Sequence, residues 1–193
     1  MRAIVACIIL SAVFTFQSCK KDADTTGNGN SSGFYLTATV NGESWSANVN
    51  SSLKNSPVVA ASTYANGVDV VVLLGIHTIN KDSTAIAVVF PKNSELNQSH
   101  SFNAASYSEG IYVSPATPGS STYDGYTTLP ASGGSGTFKI TSFNETAMTI
   151  EGTFSGVFGN ADGKQALEIT NGKFRCPYTT DTGQLPRSGG LKF

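Results

Sequence analysis

An all-β fold, an antiparallel β-sandwich or barrel-like domain, is the architecture the residue pattern predicts, and three observations predict it. Apolar side chains recur at every second position over much of the chain from Phe34 onward. That is the period of a strand with one face in a core and the other in water. Asn-Gly pairs stand between alternating segments at 41–42 and 66–67, and this dipeptide suits the positive φ angles of a tight hairpin turn. No ten-residue window places apolar residues at convincing helical spacing.

The chain begins differently. Met1-Arg2 is a short positive start, and Ala3 to Phe16 is apolar except for Ser11 and Thr15. This run is too short to span a bilayer, which needs about 20 residues. It fits the core of a secretory signal peptide. Phe16-Gln17-Ser18-Cys19 follows. These four residues resemble the lipobox of bacterial lipoproteins, in the relaxed form found in Bacteroidota. The resemblance implies removal of residues 1–18, lipidation of Cys19 and an address in the cell envelope, at the outer membrane. It leaves open whether the periplasmic or the surface side carries the protein. A single acyl chain binds a membrane marginally, whereas two or more hold it stably. Residues 20–33 contain no large apolar side chain, so 19–33 reads as a lipidated Cys with a flexible tether spanning roughly 20 Å.

Residues 34–193 read as a single β domain. Phe34, Leu36, Ala38 and Val40 alternate with polar neighbours up to Asn41-Gly42, and Trp45, Ala47 and Val49 continue the alternation beyond it. A second hairpin runs from Val58 to Tyr64, turns at Asn66-Gly67 and returns through Val68–Ile76. Val70–Leu74 is apolar on both faces, which predicts a central strand. Thr84–Phe90 is the next strand. In the C-terminal half, Gly136–Phe143 and Ala147–Phe158 read as strands, with Met148, Ile150 and Phe154 on one face. Gln165–Thr170 returns, and Asn171-Gly172 predicts a further turn into Lys173–Tyr178.

Phe34–Trp45, FYLTATVNGESW, resembles the opening of a β-rich domain of unknown function found in many Bacteroidota lipoproteins. Ile150–Phe174, IEGTFSGVFGNADGKQALEITNGKF, resembles the end of the same domain. The resemblance implies a β fold and an envelope location, and it brings no activity.

Between Lys92 and Ser135 the alternation weakens, and Ser, Thr, Gly, Asn and Pro dominate. Tyr107, Tyr112, Tyr123 and Tyr126 fall there, four of seven tyrosines. Together with Trp45 they form a candidate ligand surface, because such rings offer flat apolar area and hydrogen-bonding edges. The plainer reading has the same rings covering the ends of the sandwich or lying in short strands, since long loops usually pack on themselves.

The pattern argues against several chemistries. The net charge is −1 and the body has no Lys/Arg block, so nucleic acid finds no basic face. His77 and His100 stand far apart without nearby ligand partners, which does not make a zinc site. His77 reads as a strand-end surface residue. No Gly-x-Ser-x-Gly nucleophile elbow occurs, and the carboxylates are scattered, mostly at turns. Asp162 in Asn160–Gly163 reads as part of a plain turn rather than a calcium loop. No cofactor or metal is implied. Cys7 leaves with the leader and Cys19 carries lipid, so Cys176 has no disulfide partner. It shares a strand face with Phe174 and Tyr178 and reads as a buried, inert thiol. Asp24-Thr25-Thr26 and Asp82-Ser83-Thr84 resemble the O-glycosylation acceptor pattern of Bacteroidota envelope proteins, with Thr25 and Ser83 as acceptors. The functional expectation is a membrane-anchored binding or accessory module for glycans or envelope proteins, without catalysis. The alternatives are a purely structural envelope lipoprotein and a hydrolase with a dispersed active site.

Overall fold

Asn41 and Gly42 have φ of 48° and 85°, both in the left-handed region that a type I′ turn demands. The turn joins strands β1 (Tyr35–Val40) and β2 (Glu43–Ser46), with Val40 opposite Glu43. The computed structural model describes residues 33–47, 58–65, 67–79 and 82–179; Cys19, Thr25 and the predicted leader and tether up to residue 32 lie outside them. The remaining strands are β3 (Val58–Ala65), β4 (Val68–Ile79), β5 (Asp82–Pro91), β6 (His100–Ser101), β7 (Glu109–Pro115), β8 (Tyr123–Thr127), β9 (Ser135–Asn144), β10 (Thr149–Asn160) and β11 (Ala166–Thr179). Two short 3-10 turns, Ala104–Ser106 and Pro130–Ser132, are the other elements among the described residues. The fold is all-β.

Among the described residues, eleven strands join one sheet in the order β2-β1-β11-β3-β4-β5-β7-β8-β10-β9-β6, and β10 also pairs with β11. That extra pairing closes a ring of seven strands, from β11 through β3, β4, β5, β7 and β8 to β10. The two seams of the ring are short. Parallel pairing joins β11 to β3 at Tyr178–Ala60 and Thr179–Ala61. Antiparallel pairing joins β10 to β8 at Gly159–Thr127 and Asn160–Tyr126. The sheet therefore folds over into two layers, β2-β1-β11-β10-β9-β6 against β3-β4-β5-β7-β8.

The main core lies between the layers. Leu36, Phe138, Ile140, Ile150, Phe154, Phe158, Ile169 and Phe174 come from one side, and Val58, Val71, Leu73, Ile86, Val88 and Phe90 from the other. Phe90 stacks on Phe138 across the gap, with ring centroids 5.5 Å apart. The double-sided apolar run predicted for Val70–Leu74 is real. Val71 and Leu73 enter this core, while Val70 joins Ala87, Val89, Ile111 and Val113 in a second cluster on the outer face of β4, β5 and β7.

The weakly patterned middle segment forms strands β7 and β8, in keeping with the plainer reading of short strands. Two local readings are corrected. Met148 does not lie in a strand: it occupies the β9–β10 turn with φ of 50° and is exposed. Asn171-Gly172 does not reverse the chain. β11 runs through it as one strand, and its pairing shifts there against both neighbours: between Thr37 and Thr39 on β1, and between Phe154 and Gly156 on β10. The dipeptide is a bulge. Asn171 has a positive φ, 53°, but strands on both sides keep the chain in line.

Candidate functional site

Strand alternation divides the predicted aromatic surface in two. Tyr112 is on β7, and Tyr123 and Tyr126 are on β8, three residues apart and so on opposite faces. Trp45, Tyr112 and Tyr126 turn toward the main core. Tyr107 and Tyr123 instead pack against the outer cluster around Val89 and Ile111. Tyr107 sits in a turn with φ of 54°, where its N–H donates to Ala104 O. The structure thus brings together three of the five rings and places the other two behind the sheet.

The inward group lies between β2 and the β4-β5-β7-β8 layer. Trp45 is 6% exposed, and its Nε1–H donates to Thr84 Oγ1 at 2.8 Å. Thr84 also lies close enough to the Tyr112 hydroxyl to oppose part of the rise in its pKa, so one small side chain stands beside two aromatic rings. Tyr112 and Tyr126 meet at a centroid distance of 6.2 Å with their planes 53° apart. The Tyr126 hydroxyl donates to Gln165 Oε1 at 3.0 Å, which ties β8 to the start of the β11 hairpin arm. Trp45 and Tyr112 form a buried floor, and Tyr126, half-buried, is the ring that reaches solvent.

The rim is acidic and neutral. Glu43 stands two residues before Trp45 on the same side of β2, and Asp124 stands two residues before Tyr126 on the same side of β8; both are exposed. Burial pushes the Tyr112 phenol above its usual range, and the charge of Glu43 adds to the shift. Burial raises the Tyr126 phenol as well, with Asp124 adding to it. Both rings therefore stay protonated donors at neutral pH. His77 closes another side. It is half-buried rather than at a strand end, because β4 continues to Ile79. Its ring lies 5.9 Å from the Trp45 ring, and its Nδ1–H donates to Ser46 O.

Thr84, Gln165, Glu43 and Asp124 were not among the residues singled out from the sequence. The same-face spacing of Glu43 with Trp45 and of Asp124 with Tyr126 is a readable signal. Thr84 and Gln165 enter only through long-range contacts, 39 residues away from their partners in each case. Elsewhere, Ser83 lies in β5, half-buried, with its Oγ 2.8 Å from Thr78 Oγ1. His100 stacks on Phe138 at 5.2 Å, and its Nε2–H donates to Glu95 O. Asn160 Oδ1 accepts from the Lys164 and Gln165 amides, which organises the turn containing Asp162. Among the described residues, no group of three or more His, Cys, Asp or Glu could hold a metal ion, and no helix is long and apolar enough to cross a membrane.

Comparison with known proteins found no matching family model, no matching curated protein and no matching solved structure.

Proposed function

We propose that this chain is a lipoprotein of the bacterial cell envelope, held to the outer membrane by lipid on Cys19, whose β domain binds a glycan at the mouth lined by Trp45, Tyr112 and Tyr126. The observation that carries the binding reading is the meeting of these rings with Thr84 and Gln165. A sugar presents an apolar C–H face and a ring of hydroxyls. It is recognised by an aromatic surface flanked by a few placed polar groups. Tyr126 offers its ring to the apolar face. Gln165, whose Oε1 accepts from Tyr126, carries amide N–H donors of the kind that meet ligand oxygens. The leader and the lipobox-like residues support the anchor.

Each half has its own test. Mass spectrometry of the mature N-terminus should find a diacylglyceryl adduct on Cys19, and an intact leader or a free thiol there would remove the anchor. The full chain in detergent should bind members of a glycan panel, with Tyr126→Ala weakening the binding by about tenfold, the equivalent of about 1.4 kcal/mol. A panel with no binder would remove the glycan reading.

A further inference from the structure

Glycans divide by charge into neutral sugars and those carrying carboxylates, such as uronic acids. The charges at the mouth bear on that division. Glu43 on β2 and Asp124 on β8 belong to different layers, each two residues from a ring of the site and on the same strand face as that ring. Tyr112 and Tyr126 meet, the charge of Glu43 reaches Tyr112 and that of Asp124 reaches Tyr126, and the neutral side chains of Thr84 and Gln165 bond to rings of the same group. A carboxylate at the rim accepts hydrogen bonds from sugar hydroxyls, which always have a proton to give. It repels a ligand carboxylate, which has none.

We propose that Glu43 and Asp124 make the mouth selective for uncharged, hydroxyl-rich sugars over uronic acids. This deepens the glycan-binding reading and rests on it. Specificity of this kind comes from the element that rejects the wrong ligand as much as from the one that holds the right one. Two like charges within several ångströms, partly screened by water, disfavour a ligand carboxylate by about tenfold at low salt. The effect fades as added salt screens the rim.

The experiment uses the full chain in detergent, titrated with neutral hexose oligosaccharides and with uronic acid oligosaccharides of matched length, at low and at high salt. Neutral ligands are expected to bind about tenfold more tightly at low salt, with the ratio shrinking at high salt. Glu43→Gln and Asp124→Asn should each reduce the neutral-to-uronate ratio, and the double variant should lose most of it. Both positions are exposed, so the variants should melt with the parent protein, which circular dichroism checks. Uronates binding as tightly as neutral sugars at low salt would overturn the selectivity and leave glycan binding intact. A chain that binds neither set would overturn both.

Discussion

Glu109 lies on the outer face of β7, 5% exposed, facing away from the mouth. Its Oε1 accepts from the Thr127 hydroxyl. Burial holds its carboxyl above the ordinary range, and the Thr127 bond only partly opposes this. Because the folded pKa is raised, the fold favours the neutral acid. This contribution is complete below the unfolded pKa, about 4.3, and is lost as pH rises through the folded value. Glu109→Gln should therefore unfold at higher urea than the parent at pH 7 and lose that advantage near pH 4. Urea midpoints at the two pH values check this, and a difference that does not change with pH would count against it. Cys176 gives a second prediction. It is fully buried, and burial raises its thiol well above the usual range, while Arg175 beside it points away to Glu151, 3.3 Å from its Nε. In the native protein it should react with a thiol reagent at the rate of unfolding, and faster labelling would mean that this strand opens locally.

At the scale of elements, the two Asn-Gly pairs at 41–42 and 171–172 show where local chemistry stops deciding structure. Both asparagines adopt positive φ, and that much is legible in the dipeptide. Only at 42 does the glycine follow into the left-handed region, and there the chain reverses. At 172 the strand continues between β1 and β10, and a Cβ on Gly172 would stand 2.4 Å from Phe154 O. The 3-10 turn Pro130–Ser132 approaches β10 more closely still, because a Cβ on Gly159 would stand 1.7 Å from Ser132 O. Gly172→Ala and Gly159→Ala should each destabilise by several times the roughly 1 kcal/mol typical of a point substitution. Gly125→Ala, where nothing lies within 4 Å, should be close to neutral. Thermal melting of the three variants separates them, and equal melting temperatures would contradict the crowding.

For the whole molecule, the two layers share one core and are joined by seams of two residue pairs each. Stability therefore rests on the packing between layers more than on the closure of the ring. Phe90 and Phe158 are buried to within 1%, and truncating either to alanine should cost about 3–5 kcal/mol. Both layers should unfold together, giving coincident transitions in far-UV circular dichroism and aromatic fluorescence. Separate transitions would show that the layers are independent units. The proposed binding surface belongs to this scale too, since its parts come from β2, β4, β5, β7, β8 and the arm before β11.

The amino-acid pattern by itself determined that the chain is built of strands, where its first hairpins turn, and that Cys176 packs with Phe174 and Tyr178. Each of these depends on neighbours within a few residues, through a period of two or a turn geometry. It also carries the leader and the lipobox-like residues on which the anchor is proposed. Only the tertiary structure decided that Tyr107 and Tyr123 part from Tyr112 and Tyr126, that Asn171-Gly172 bulges rather than turns, and that Thr84 and Gln165 meet the inward rings. The middle segment was hard to read because its strands are short and rich in small polar residues, so their alternation carries little hydrophobic contrast. The face of a sheet on which a ring lies, and the hydroxyl that meets it, depend on register between strands distant in the chain. That register is set by packing of the whole core rather than by any local signal.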